Sequence, residues 1–205
     1  MERALEGIRV IELARYLAGP HAGMILADLG ADVIKVEPPE GEFTRHSGEA
    51  INGQTVYFMT GNRNKKSIVL DVKQPAARKV LYDLVKVSDV VLDNFRPGVM
   101  AHLGLDYETL CRINPRIISC SVSGYGATGP YRGRPAYDYL LQGWTGVAHM
   151  IGNEDGPPMS TRLSVIDLLG GIHGALGILA AVEARDRTGV GQFVDIALLD
   201  GAWSL

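Results

Sequence analysis

Ile8-Arg9-Val10-Ile11-Glu12-Leu13, the glycine- and proline-punctuated Ala14 to Pro20, the helix-patterned His21 to Leu29 stopped at Gly30, and Asp32-Val33-Ile34-Lys35-Val36-Glu37 form the stretch whose reading decides the fold. Two apolar strands separated by a loop and a helix cannot pair as a tight hairpin. They pair in parallel through a right-handed crossover, which opens a sheet that helices cover.

Outward from this unit the pattern repeats. Pro38 to Asn64 carries glycines and little periodicity, so it reads as a long excursion over the sheet edge, a class of loop that is often functional. Ser67 to Val72 reads as strand, Pro75 to Val87 as helix with proline near its first turn, and Asp89 to Asn94 as strand again. Tyr107 to Ile113 is a short helix ended by Asn114-Pro115, and Ile117 to Val122 is a further strand, followed by the glycine-rich Ser123 to Arg134. Tyr137 to Met150 is helix-compatible, Gly152 to Pro158 is a turn cluster, Leu163 to Asp186 is a long helix, and Gln192 to Leu198 closes the series as a strand. The predicted class is α/β, a Rossmann-like parallel sheet with helices on both faces, spanning 1–205 as one domain. Gly201 to Leu205 reads as the start of another helix, so the chain is expected to be a fragment of something larger.

Composition bounds the ligand. A chain of 205 residues, 46% hydrophobic and 21% charged, can bury a sizeable core. Its net charge of -3 gives no bulk attraction to nucleic acid or anionic membrane, so neither is an expected partner. Two cysteines, Cys111 and Cys120, and no charged-then-apolar leader at Met1 suggest a reducing, cytoplasmic setting. The apolar run Leu163 to Val182 contains Asp167 and His173 and is crowded with Gly and Ala, which favours a buried helix over a membrane span.

In an open sheet of this kind the ligand crevice lies at the carboxyl ends of the strands, so the loops after Leu13, Asp93 and Val122 should converge there. A dinucleotide is the first rival. Its fingerprint fails, because Ala18-Gly19-Pro20-His21-Ala22-Gly23 lacks the first two glycines and Pro20 removes an amide that a pyrophosphate would use. No P-loop lysine motif, zinc-type Cys/His spacing or G-x-S-x-G elbow is present.

A series of short segments, in order over about 190 residues, points elsewhere. They are Leu5-Glu6-Gly7-Ile8-Arg9-Val10 through Ala18-Gly19-Pro20, Leu29-Gly30-Ala31-Asp32-Val33-Ile34-Lys35-Val36-Glu37, and Asn62-Arg63-Asn64-Lys65-Lys66-Ser67-Ile68. Asp93-Asn94-Phe95-Arg96-Pro97-Gly98, Ser123-Gly124-Tyr125-Gly126 with Gly129-Pro130, and Thr188-Gly189-Val190-Gly191-Gln192 follow. Together they resemble the class III CoA-transferase family, which includes formyl-CoA transferase, carnitine CoA-transferase and the related α-methylacyl-CoA racemase.

The resemblance implies coenzyme A or an acyl-CoA as substrate, a carboxylic acid as co-substrate, no metal, and an interlocked homodimer when the protein is full length. It implies the N-terminal part of a two-domain fold, the small domain and a glycine-rich loop over the aspartate lying beyond these residues. Leu17 and Ala18 match first-loop CoA contacts, Leu70 and Lys73 match contacts on the third strand, and Asn94, Phe95 and Arg96 match the loop after the fourth. His102 falls where relatives carry a basic residue near the CoA phosphates. Tyr137 and Asp138 match the pair beside the acyl group, and Asp167 matches the aspartate that becomes acylated.

Each residue also has a plainer reading. Lys73 reads equally as a solvated strand-end lysine, His102 as an exposed helical residue, and Tyr137 as a half-buried core tyrosine. Asp167, in an apolar neighbourhood at the head of a long helix, is either a nucleophile or a first-turn acid favoured by the helix dipole. In both readings the helix terminus is expected to keep it ionised.

Two positions depart from the relatives. Leu17 stands where formyl-CoA transferase has a glutamine, which favours a larger, less polar acyl acceptor, and Pro38 stands where several relatives present an arginine to CoA. Racemisation of a 2-methylacyl-CoA is a second expectation, weakened because Tyr137 occupies the place of the racemase histidine and tyrosine is a poor base at neutral pH. A CoA-binding or dimerisation module without catalysis is a third.

Overall fold

The computed structural model describes residues 3–205 and contains one six-stranded sheet in which every neighbouring pair runs parallel. β1 (Arg9–Glu12) and β2 (Asp32–Glu37) are joined by α1 (Ala18–Asp28), as the opening stretch requires. A small antiparallel pair, β3 (Ala50–Ile51) and β4 (Gln54–Thr55), and the helix α2 (Val56–Asn62) precede β5 (Lys66–Val69). Then come α3 (Pro75–Val85), β6 (Val90–Asp93), α4 (Val99–His102), α5 (Tyr107–Ile113) and β7 (Ile118–Ser123). The chain continues through α6 (Asp138–Trp144), α7 (Val147–Ile151), α8 (Val165–Thr188), β8 (Phe193–Ala197) and α9 (Leu198–Ala202). The strand order is β5-β2-β1-β6-β7-β8, so the direction of winding reverses between β1 and β6.

Alternate residues of the central strands enter two cores. Val10, Leu92, Cys120 and Val122 pack with α1 and α8 on one face, while Ile11, Val91 and Ile117 pack with Leu81 of α3 and Leu110 of α5 on the other. Burial on both faces is why these strands read as nearly continuous apolar runs. Alone among the described residues, α8 is long and apolar enough to cross a membrane by composition. It is packed instead against α1 and β7, which agrees with the buried-helix reading. That packing depends on glycine: a Cβ at Gly171 would press on the Ala18 carbonyl and on His21, and one at Gly170 would overlap Leu198. The close approach sets the first turn of α8, with Asp167, over the strand ends.

Two sequence expectations are corrected. Pro38 to Asn64 is not a bare excursion but holds a 3-10 turn (Phe43–His46), the small hairpin and α2. Its order comes from charge: Glu37 accepts from Arg45, from the Ser67 hydroxyl at 2.5 Å and from the Glu42 N–H at 3.0 Å. Burial pushes the Glu37 carboxyl up, yet these donors outweigh it and leave it at about 2. Tyr137 to Met150 is likewise not one helix, because the chain turns at Gly146, whose φ of +82° ends α6 and starts α7.

The segment Asn62 to Ser67 is a fastening device. Arg63 and Asn64 both bond Asp28 of α1, Lys66 pairs with Asp32 at 2.6 Å, and Lys65 reaches Glu12 at 2.7 Å. Glu12 is fully buried and also holds Lys35 at 2.9 Å, so one carboxylate ties β1, β2 and the end of α2. Burial lowers the Lys65 ammonium to about 8 despite the attraction of Glu12. Removing one member of a buried charge cluster strands the others. Glu12→Gln should therefore destabilise the fold by about 3–5 kcal/mol, read as a lower urea midpoint with an unchanged slope; a variant as stable as the parent would show that the cluster is not structural.

Candidate active site

Ligands of open parallel sheets bind where the strand order reverses, and here that point lies between the loops leaving β1 and β6. Two adjoining cavities open there. One of about 610 Å³ is lined by Leu70, Lys73, Phe95 and His102 together with Val36 to Glu40. The other, of about 460 Å³, is lined by Leu17, Ala18, Asn94, Phe95, Arg96, Tyr137, Asp138 and Asp167. Arg15, Phe95 and Pro97 line both, so every residue singled out in the sequence falls on one divided cleft.

The loops that form the cleft are locked together by the residues they carry. Asn94 accepts from the Arg15 N–H at 2.8 Å and donates to the Arg15 carbonyl at 2.7 Å, so its amide acts as a strut and not as a free ligand group. Gly19 permits this closeness, because a Cβ there would overlap Ala14 and crowd Asn94. Tyr16, next along, is held at φ +61°, an uncommon conformation for a non-glycine residue, with its N–H donating to Glu42 at 2.9 Å. On the other side Asp93 accepts from the Phe95 N–H at 3.0 Å and from the Ser121 hydroxyl at 3.3 Å. Burial outweighs both bonds and pushes the Asp93 carboxyl up to about 7.

Asp167 lies in the first turn of α8, as expected, but its charge state is not as expected. The free amides of that helix end are already taken: Asp138 accepts from the Ile166 N–H at 2.6 Å and the Asp167 N–H at 2.9 Å, and its other oxygen accepts from Gln142. Burial first, and the neighbouring Asp138 carboxylate second, push Asp167 up to about 7. The amides that were expected to keep Asp167 ionised donate to Asp138 instead.

Lys73, Arg96 and His102 are solvent-exposed, and none has a carboxylate partner among the described residues. Tyr137 is 54% exposed and stacked on Tyr139 at 5.9 Å, so it is a cleft-lining residue and not a core one. Ala18 is buried at the start of α1, with Leu17 before it as the N-cap.

Tyr57 is a residue that the sequence reading missed. It sits on α2 and lines the Asp167 cavity. Burial, then the Asp167 and Glu42 charges, push its hydroxyl up to about 12, which leaves it a hydrogen-bond donor at neutral pH. Its segment was read as irregular loop, so no helical face directed attention to it. Arg15, Arg132 and Arg134 were missed for a similar reason, since loop residues carry no periodicity.

Comparison with known proteins gives the family to which the chain is similar. Residues 5–205 match the family model described as CoA-transferase family III. The chain is 48% identical over 204 residues to succinate–glutarate CoA-transferase of Agrobacterium fabrum, covering 96% of this chain and 51% of that protein. It is 46% identical over 200 residues to acetyl-CoA:oxalate CoA-transferase of Acetobacter aceti, again covering 96% and 51%. A crystal structure of a CAIB/BAIF family protein from Brucella suis superposes with a TM-score of 0.96 at 42% identity, covering all of this chain and 56% of that one. The chain thus spans about half the length of the curated relatives it matches.

If Asn94 is the strut between the two loops, Asn94→Ala should cost about 1–2 kcal/mol of stability through the lost pair of bonds. It should also speed backbone amide exchange in both loops, because both would be released at once. Unchanged exchange in a folded variant would show that the loops hold their places without it.

Proposed function

The chain belongs to CoA-transferase family III, and we propose that it serves transfer of coenzyme A from an acyl-CoA to a free carboxylic acid with Asp167 as the covalent nucleophile. The observation that carries this reading is the carboxyl of Asp167: half-buried, raised to about 7, and lining one cleft with Leu17, Ala18, Asn94, Phe95, Arg96 and Tyr137. A carboxylate with a raised pKa is a stronger nucleophile than an ordinary one and still ionises near neutral pH. The long cavity beside it, with Lys73, His102 and Phe95, suits the phosphates and adenine of CoA, which need a few cations and an apolar shelf.

In the proposed sequence an Asp167 oxygen attacks the thioester carbonyl, the carbon–sulfur bond breaks, and CoA leaves as its thiolate from a mixed anhydride. The thiolate then attacks the carbonyl of Asp167, releases the donor acid as its carboxylate, and leaves an enzyme thioester. The acceptor carboxylate displaces the thiolate from that thioester to form a second anhydride. Attack of the thiolate on the acceptor carbonyl gives the new acyl-CoA and restores Asp167. Each intermediate is open to hydrolysis, so the reaction needs a site that excludes water. Tyr57 and Tyr137 line the cavity as phenols that can donate to the acyl oxygen, and Tyr57 keeps its proton at neutral pH.

The alternative of racemisation needs a second acid-base group across the substrate. Among the described residues lining the Asp167 cavity there are tyrosines and arginines and no histidine, which favours transfer. A homodimer and a cytoplasmic location belong to the same proposal and are open to sedimentation and fractionation of the complete protein.

Trapping decides the mechanism. Full-length protein incubated with acyl-CoA and then hydroxylamine should yield a hydroxamate at Asp167 by mass spectrometry, and an active enzyme with an unmodified Asp167 would sink the reading. Asp167→Asn should abolish exchange, and kcat/KM of the parent should rise with pH through about 7, as the nucleophilic carboxylate forms. The same carboxyl sets a stability trend. Its folded pKa lies above its unfolded value of 3.8, so the penalty for ionising it grows as pH rises between the two and is complete above about 7. Asp167→Asn should accordingly raise the melting temperature more at pH 8 than at pH 5; the reverse order would show that the buried carboxylate is stabilised by its surroundings.

A further inference from the structure

We propose that Arg132 and Arg134 recognise the far carboxylate of a short dicarboxylic acid whose other carboxylate reacts at Asp167. The proposal rests on the CoA-transferase reading above and names the class of acid for it. Both side chains line the Asp167 cavity, and both belong to the loop between β7 and α6. That loop is held close to the sheet. A Cβ at Gly124 would overlap Ala136, so only glycine lets the two segments meet. Tyr131 contacts Tyr125 and Trp144, with ring centroids at 5.9 and 5.2 Å. The guanidinium of Arg134 lies over the Tyr131 ring at 4.3 Å, and its backbone N–H donates to the Tyr131 carbonyl at 2.8 Å. An arginine braced in this way loses less freedom on binding than a free surface one.

Charge accounting supplies the ligand class. Several arginines elsewhere are matched to carboxylates, as Arg9 is to Asp32, Arg45 to Glu37, Arg63 to Asp28 and Arg185 to Asp89, while Arg78 and Arg112 reach only a carbonyl and a hydroxyl and line none of the cleft. Arg15, Arg96, Arg132 and Arg134 have no carboxylate partner among the described residues, and all four line the cavity of Asp167. The neighbouring cavity already offers Lys73, His102 and Arg15 to the phosphates of CoA. At the acyl end the reacting carboxylate is consumed in forming each anhydride, so a monocarboxylic acid leaves no lasting negative charge for two further guanidiniums. A dicarboxylic acid does, because its far carboxylate stays ionised through the whole cycle. Planar guanidiniums also match a carboxylate's two oxygens, which is the recognition arginine performs best. The apolar Leu17 on the same cavity is compatible with a methylene chain between the two ends.

The test uses the full-length protein with succinyl-CoA as donor and glutarate and valerate as competing acceptors. Both acceptors then draw on the same enzyme-bound CoA, and any effect on the donor cancels from their ratio. The parent should prefer glutarate. Arg132→Gln/Arg134→Gln should reduce that preference by about 10–100-fold, the scale of one lost charge-assisted hydrogen-bonded contact. Valerate transfer and CoA affinity by calorimetry should change little, and Arg132→Lys/Arg134→Lys should recover part of the preference. Equal loss for both acids together with weaker CoA binding would assign the arginines to the CoA phosphates and overturn the proposal. An unaltered ratio, or a parent enzyme that takes valerate as readily as glutarate, would overturn it too. A parent that transfers CoA to no acid tested and shows no acyl adduct at Asp167 would instead remove the reading on which the proposal stands.

Discussion

Two carboxylates compete for one helix end, and the chemistry of the site follows from which one wins. The first turn of α8 has a small set of free amides, and Asp138, reaching in from α6, accepts from those of Ile166 and Asp167. Asp167 itself is left with burial and a like charge nearby, and both disfavour its ionised form. The same turn therefore carries an anchored acid and an unanchored one. Had Asp167 been the capping residue, its charge would have been stabilised and its basicity lowered, which suits a structural acid more than a nucleophile. Asp138 thus acts as a positioning residue: it fixes where α8 begins and raises the basicity of the group beside it.

That arrangement is useful only if the strand-end loops face it, and their placement follows from topology. Strand order reverses between β1 and β6, so the chain leaves those two strands toward opposite sides and a crevice opens between them. Polar contacts then set its width. Asn94 bridges to the backbone of Arg15, Glu42 holds the N–H of Tyr16 in its left-handed conformation, and Asp93 holds the N–H of Phe95. A strained residue persists where its surroundings over-determine it. Here the restraints come from the loop after β6 and from the segment after β2, so the positions of the cleft loops are mutually dependent.

The larger features were legible from periodicity. Apolar strands at regular intervals with helices between them predict a parallel sheet, and five of the six expected strands lie within a residue of their observed bounds, while Ser67 to Val72 overruns the end of β5 by three residues. The crevice at the strand ends was also legible, since it depends on topology alone. What escaped reading is what depends on contacts distant in sequence. Asp138 and the α8 amides are 28 and 29 residues apart, so nothing local signals that the helix end is occupied. The order in 38–64 comes from Glu37, Arg45, Glu42 and Ser67 meeting in space, while the glycines in the same stretch suggest loop. Tyr57 was hidden with that segment. Gly146 broke a pattern that apolar spacing alone would have continued as one helix.

Those distant contacts also explain how the protein tolerates an unfavourable carboxyl in its cleft. A buried acid with a raised pKa lowers stability at neutral pH, and so does a tyrosine held in the left-handed region. Both features sit on loop or helix-end positions beside the cleft, where few backbone bonds would be lost by shifting. The resistance to such a shift comes from the other side of β1. There the Glu12 cluster links β1 and β2 to Lys65 at the entrance to β5, and Lys65 also donates to the Pro20 carbonyl of α1 at 2.8 Å. Pro20 follows directly on Leu17, Ala18 and Gly19 at the mouth of the cleft. A displacement of the first loop would therefore pull on a fully buried charge network, in which separating any pair exposes an uncompensated ion. The charges that the site does not use hold in place the ones that it does.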